Sequence, residues 1–132
     1  RNSAMAVAAS ALKAQQSRMR VIAENIANAQ STADVAGGQP YRRQIPVFQA
    51  REINGATGVA LAEVRVDQGD VRSEYDPSHP AANAEGYVLR PNVDTLVEAM
   101  DMREAQRAYE ANLNVIETAR AMDARILDLL KK

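Results

Sequence analysis

The C-terminal stretch of the chain, residues 92–132, contains neither glycine nor proline, and its apolar residues recur at intervals of three and four. This spacing places them on one face of an α-helix. The stripe comprises Ala105, Ala108, Asn112, Val115, Ala119, Met122, Ile126 and Leu129, flanked by Tyr109, Ile116 and Leu130. Asn92 or Asp94 can cap its start. A straight helix of this length would extend roughly 60 Å at 1.5 Å per residue, which predicts an elongated molecule.

A second helical pattern occupies the N-terminal part, from Ser3 to about Ala29, and Asn2 or Ser3 can cap its start. The apolar positions follow a seven-residue repeat with further small or apolar residues between. They are Met5, Ala8, Leu12, Met19, Ile22, Ile26 and Ala29, and Gln15 is the polar exception. This helix would extend roughly 40 Å.

Composition limits what can lie between two such helices. The 132 residues are 46% hydrophobic, yet they include only four Tyr, one Phe and no Trp, so the core is expected to be thin. The net charge of -1 gives no general attraction to nucleic acid or to an anionic membrane. The absence of cysteine excludes disulfides and thiolate zinc sites.

No apolar run is long enough to cross a bilayer. The run over residues 4–12 is weakly hydrophobic and continues into the first helix, so it is interpreted as mature protein rather than as a signal peptide.

The middle of the chain, residues 31–91, lacks the helical pattern of the two ends. Residues 31–40 contain Gly37 and Gly38 and little periodicity, which is typical of a mobile linker. Short strands are predicted at residues 42–49, 59–67, 71–75 and 86–89, with Asn54-Gly55 and 68–70 as turns and Pro46 on an edge strand. The predicted fold is α+β, with helices over 1–30 and 92–132, the linker over 31–40 and a β-hairpin-rich lobe over 41–91.

Two helices with so small a core leave apolar surface uncovered, which indicates self-assembly or partner binding in addition to intramolecular pairing. We expect the N-terminal seam to face the C-terminal stripe through Met5, Leu12, Met19, Ile22 and Ile26. The remaining apolar positions are expected to contact neighbours, and they include Val7, Val21, Ile116 and Leu127.

Three asparagines interrupt these helical patterns. Asn25 and Asn28 either fix register with a neighbouring subunit or simply end the helix, and the sequence does not separate the two. Asn112 lies within the C-terminal stripe, where a buried amide needs a partner, so a register-setting role is favoured.

Charged and aromatic residues offer few other functions. Tyr41-Arg42-Arg43 resembles a nucleic-acid clamp only superficially, and an ion-paired contact within the β lobe or between subunits is the better interpretation. A solvated or inter-subunit polar face is expected for the mixed charges of the last helix, which are Glu98, Asp101, Arg103, Glu104, Arg107 and Glu110.

The only histidine, His79, lies between Pro77 and Pro80 in a predicted loop, and a zinc site there is improbable on composition. No nucleophile elbow or phosphate loop is present. The sequence predicts no catalytic residue, no cofactor and no enzymatic activity.

Several motifs resemble the flagellar axial protein family, which builds the bacterial rod and hook. The N-terminal signature is spread over residues 10–15, 18–19 and 21–29. The more specific motifs are Pro40-Tyr41-Arg42-Arg43-Gln44, Tyr75-Asp76-Pro77-Ser78-His79-Pro80, Gly86-Tyr87-Val88, Pro91-Asn92-Val93 and Arg107-Ala108-Tyr109-Glu110-Ala111-Asn112. Their order, and the long Gly37-Gly38 linker, are similar to the proximal rod members. Gln30-Ser31 and Glu85 are mild departures.

The resemblance implies a structural subunit that is exported through the flagellar type III apparatus without a cleaved signal peptide. It would polymerise in a periplasm-crossing rod that transmits motor torque. The implied partners are other copies of itself and the subunits FlgB, FlgF, FlgG and FliE, with no nucleic acid and no membrane insertion. The alternative is a soluble coiled-coil adaptor or export chaperone. The terminal helices are expected to be largely disordered in the isolated monomer and to fold on assembly, because their stripes have no sufficient intramolecular core.

Overall fold

The computed structural model describes residues 3–131. Helix α1 spans Ser3–Ala27 and helix α2 spans Thr95–Leu130. Between them lie strands β1 (Gln44–Ile53), β2 (Ala56–Val66), β3 (Arg72–Tyr75) and β4 (Tyr87–Arg90). The predicted α+β class is confirmed. The predicted cap at Asn2 and helix end at Lys132 lie outside the described residues.

Asp94 caps the start of helix α2. The Asp94 side chain accepts hydrogen bonds from the backbone N–H groups of Leu96 and Val97, which no residue within the helix can satisfy. Of the two predicted caps, Asp94 is therefore the one used, and Asn92 has a different role.

The two helices pack antiparallel. Near one end the Asn25 amide contacts Glu98, and farther along Arg18 forms an ion pair with Glu104 at 2.7 Å. Because both helices rise about 1.5 Å per residue, Ser3 at the start of α1 lies level with about residue 119 of α2. Residues 120–131 extend beyond it, and all of them are exposed.

Strands β1 and β2 form a long antiparallel hairpin. Its ladder runs from Gln44 opposite Val66 to Ile53 opposite Ala56. Asn54 and Gly55 have φ angles of 52° and 83°, and two successive positive φ angles fit the right-handed twist of a two-residue hairpin turn. The register shifts between Val47 and Phe48, directly after Pro46, which has no N–H to donate.

This hairpin packs against α1. The backbone N–H of Val59 donates to the hydroxyl of Ser10 at 3.2 Å, and the same hydroxyl donates to the Val7 carbonyl within α1 at 2.7 Å. A Cβ atom at Gly58 would collide with the side chains of Ser10 and Ile53, which would have to move to make room for it.

Strands β3 and β4 form a second, separate antiparallel hairpin, with Tyr75 opposite Tyr87. Arg72 and Arg90 fasten it to the end of the N-terminal region by donating to the carbonyls of Ala29 and Gln30 at 3.0 and 2.7 Å. The region predicted as one β lobe thus contains two ladders with no strand in common. The predicted linker is attached as well, since the Gly37 N–H donates to the Ala81 carbonyl at 3.0 Å.

Small side chains dominate the core. Its buried apolar residues are Ala8, Ala14, Val21, Ile22, Ala29, Ala81, Val88, Val93 and Ala105. Val21 is only 2% exposed, so the prediction that it contacts neighbours is wrong. The physical reason is that α1 packs against both α2 and the hairpin, which buries a wider face than a two-helix seam would. Within residues 3–131, neither helix is sufficiently long and apolar to pass through a membrane.

Candidate functional site

A buried polar cluster joins the end of α1 to the starts of β1 and α2. Its centre is Asn25, which is 1% exposed. Asn25 Oδ1 accepts from the Gln44 N–H at 2.9 Å and from the Tyr41 hydroxyl at 2.6 Å. Asn25 Nδ2 donates to the Gln44 carbonyl at 2.9 Å and to Glu98 Oε1 at 3.0 Å. All four hydrogen-bonding positions of the amide are therefore used within the chain.

An ion pair extends the cluster to α2. Arg43 Nε donates to Glu98 Oε2 at 2.6 Å, and the Glu98 side chain is only 1% exposed. Arg43 also lies 3.4 Å from a carboxylate oxygen of Asp67 and 3.9 Å from one of Asp101. A buried carboxylate needs such a partner, because its desolvation is costly unless charge and hydrogen bonds compensate.

Burial and charge shift two pKa values in this cluster. Burial raises the pKa of the Tyr41 phenol above its ordinary value of 10.0, and the negative charges of Glu24 and Glu98 raise it further. Burial alone would lower the pKa of the Arg43 guanidinium. Its hydrogen bonds and charge interactions with Glu98 and Asp67 outweigh burial, so that the pKa rises.

Asn92 fixes the turn that follows β2. Its Oδ1 accepts from the Arg43 N–H at 2.8 Å, and its Nδ2 donates to the carbonyls of Asp67 and Gly69 at 3.2 and 3.1 Å. Arg42 donates to the same two carbonyls at 3.3 and 2.7 Å. The motif containing Tyr41, Arg42 and Arg43 and the motif containing Pro91 and Asn92 thus meet at one junction, where Pro91 is buried.

The remaining motif residues build the β3–β4 loop. The rings of Tyr75 and Tyr87 meet edge to face with centroids 5.3 Å apart. Gly86 has a φ of 92°, and a Cβ there would lie 2.9 Å from the Tyr75 ring, so both backbone and space require glycine. The Asp76 N–H donates to the Gly86 carbonyl at 2.9 Å.

His79 has a local structural contact in this loop. Its Nδ1 accepts from the Ala81 N–H at 3.0 Å, one residue after Pro80. No group of three or more histidine, aspartate or glutamate side chains within residues 3–131 is arranged to hold a metal ion.

The predicted stripe of α2 divides into two parts. Ala105 is buried, and half-buried positions follow at Ala108, Tyr109, Asn112, Ile116 and Ala119. The exposed members are Val115, Met122, Ile126 and Leu129. Along α1, Ile22 is buried and Met5, Leu12 and Met19 are half-buried. Ile26, also predicted in the seam, is 38% exposed.

The other two asparagines bond within their own helices. The Asn28 amide donates to the Glu24 carbonyl at 2.9 Å, and the Asn112 amide donates to the Ala108 carbonyl at 2.8 Å. Neither contact sets register between helices. Each amide donates to the carbonyl four residues earlier in its own helix.

Sequence reasoning missed the buried position of Glu98, which was expected on a solvated or inter-subunit polar face. One signal could have identified it, because Glu98 precedes Ala105 by one heptad and so lies on the same helix face. Ser10 was also missed, since its partner in the hairpin is distant in sequence.

Comparison with known proteins gives a consistent result. Residues 5–33 match the family model described as flagella basal body rod protein, and residues 84–129 match the flagellar basal body rod FlgEFG protein C-terminal model. The flagellar basal-body rod protein FlgC of Agrobacterium fabrum is 46% identical, with 98% of this chain and 95% of that protein covered.

Two other bacteria have similar proteins. FlgC of Escherichia coli O6:H1 is 42% identical over 93% of this chain and 92% of its own length. FlgC of Bacillus subtilis is 37% identical, with 95% of each chain covered. The chain therefore belongs to the FlgC family of flagellar basal-body rod proteins.

Proposed function

We propose that this chain polymerises with further copies of itself and with other rod subunits to form the proximal rod of the flagellar basal body. The observation that carries the proposal is the uncovered apolar face at the end of α2. Beyond Ala119, the exposed apolar side chains are Met122, Ile126, Leu127, Leu129 and Leu130, and Leu130 is 75% exposed. Contiguous apolar surface of this kind indicates a protein partner.

The buried junction suits a subunit that transmits torque through the rod. Asn25, Arg43 and Glu98 link α1, the first hairpin and α2 through hydrogen bonds of 2.9, 3.0 and 2.6 Å. A satisfied buried network of this kind resists relative movement of the elements that it joins. The hairpin would therefore move with the helices as one body when load passes between subunits.

The partners follow from the family. FlgB, FlgF, FlgG and FliE are the proposed neighbours, and the rod is proposed to cross the periplasm. The subunit would leave the cytoplasm through the flagellar type III apparatus without a cleaved signal peptide. A chain without cysteine requires no disulfide formation after export. Its small core also suits passage in an unfolded state.

Deletion of the gene in the bacterium that carries it tests the proposal. We expect loss of swimming and of the rod in purified basal bodies, both restored by the wild-type gene supplied in trans. Rods that assemble normally without the chain would contradict a structural role and would favour an adaptor or chaperone. A reconstruction of basal bodies from the complemented strain identifies the neighbouring subunits.

A further inference from the structure

The exposed end of α2 carries an acidic residue, Asp123, within its apolar face. At 100° per residue, Asp123 lies in line with Ala105, the position on α2 that is fully buried against the rest of the chain. Its neighbours on that face are Ile126, Leu127 and Leu130, all exposed. Asp123 forms no ion pair within residues 3–131.

A partner that covers this apolar face must also accept the carboxylate. Removing a carboxylate from water without a cation or hydrogen-bond donors is costly and can offset the gain from burying a few apolar side chains. The partner surface therefore has to combine an apolar floor with a cation at its rim.

The chain carries a groove whose lining combines apolar residues with two cations and includes no carboxylate. It lies between α1 and the first hairpin, has a volume of about 300 Å³, and is lined by Lys13, Ser17, Arg51, Val59 and Leu61 among others. Val59 and Leu61 are half-buried and form part of the floor, whereas Lys13 and Arg51 are exposed at the rim. Neither cation forms an ion pair within residues 3–131.

The groove cannot receive the α2 end of its own chain. Lys13 lies level with about residue 109 of α2, and Asp123 is about 20 Å farther along the same straight helix. The groove and Asp123 therefore lie too far apart to meet within one molecule, and a contact between them requires two molecules.

We propose that the end of α2, residues 120–130, docks in the groove between α1 and β2 of a second copy, with Asp123 paired to Lys13 or Arg51 of that copy. The contact joins two different surfaces of the same chain. Such a heterologous contact continues from copy to copy instead of closing a two-fold dimer, as a rod requires. This inference rests on the proposed rod function and specifies one interface within it.

Disulfide trapping tests the contact in cells, since the chain has no cysteine of its own. A chain carrying both Lys13→Cys and Asp123→Cys should give dimers and higher multimers on mild oxidation, and reductant should remove them. Arg20→Cys with Asp123→Cys is the matched control, because Arg20 is exposed on the same helix but does not line the groove. This control should remain monomeric.

Charge-reversal variants of Asp123, Lys13 and Arg51 provide a second test, which is scored by swimming. Asp123→Lys should abolish swimming, and combining it with Lys13→Glu and Arg51→Glu should restore it. Asp128→Lys is the control, since residue 128 lies on the opposite side of the helix.

Two outcomes would overturn the inference: a cross-link confined to single chains, or no cross-link in cells that build rods and swim. Because gene deletion tests rod function separately, loss of rods on deletion together with absent cross-links would reject this interface and leave the proposed function intact.

Discussion

Asn25 binds both backbone polar groups of Gln44, accepting from its N–H and donating to its carbonyl, each at 2.9 Å. The amide thereby takes the place of a neighbouring strand at the point where β1 begins. An asparagine near the end of α1 thus fixes where the hairpin leaves the helix. The register that it sets lies within the chain.

Asn25→Ala should lower the free energy of unfolding by about 2–4 kcal/mol, because it leaves the buried partners of the amide unsatisfied. Urea unfolding followed by circular dichroism measures the change. Asn28→Ala is the control, since that amide bonds only to its own helix at a half-exposed position, and it should cost about 0.5 kcal/mol or less. Equal losses in the two variants would contradict the role assigned to Asn25.

Arg43→Ala should destabilise the fold by about 2–4 kcal/mol, because Glu98 would remain buried without its cation. In a double-mutant cycle with Glu98→Gln the second substitution should recover part of this loss. Arg18→Ala breaks a surface pair in which Glu104 is 70% exposed, and about 1 kcal/mol or less is expected. Additive effects of the Arg43 and Glu98 substitutions would show that the ion pair is not coupled.

Local signals in the sequence identified the elements but not their contacts. Asn54-Gly55 predicts the hairpin turn, and Pro46 marks an edge strand, because turn geometry and a missing N–H act within a few residues. The burial of Glu98 and Val21 depends on which face of each helix meets the first hairpin. That information lies in pairs of residues far apart in the chain, which a periodic pattern within one helix does not contain.

Stability should fall at alkaline pH through Tyr41. The unfolded chain releases the phenolic proton near pH 10, whereas the folded chain retains it to a higher pH because the pKa is raised. Above about pH 10 the unfolded state therefore binds fewer protons, so the free energy of unfolding decreases as pH rises through the folded pKa. Well below pH 10, the contribution of Tyr41 to the free energy of unfolding is fully present.

Urea unfolding of the wild type and of Tyr41→Phe between about pH 9 and pH 11 measures this contribution. Tyr41→Phe should be less stable at neutral pH, since it loses the hydrogen bond to Asn25, and should show a shallower alkaline decline. Tyr75→Phe, at a solvent-exposed ring, should retain the wild-type decline. An unchanged slope in Tyr41→Phe would exclude the phenol as the titrating group.

In the free monomer, protection of the α2 amides from hydrogen exchange should decrease at about Ala119. The amides from Glu98 to Ile116 lie along α1 and should be protected, because opening them also disrupts the buried junction. Those in residues 120–131 have no covering element and should exchange rapidly. Uniform exchange along α2 would indicate instead that both terminal helices are disordered before assembly.

Two substitutions to aspartate should separate folding from assembly. Ile22 is 4% exposed, so Ile22→Asp buries a charge and should unfold the chain. Val115 is 47% exposed, so Val115→Asp should leave the urea midpoint nearly unchanged and yet block rod formation if that face contacts a neighbour. Secretion assays, urea unfolding and swimming of both variants make the comparison. Normal swimming with Val115→Asp would show that residue 115 does not lie in the assembly interface. The exposed end of α2 would still be tested separately by the Asp123 variants.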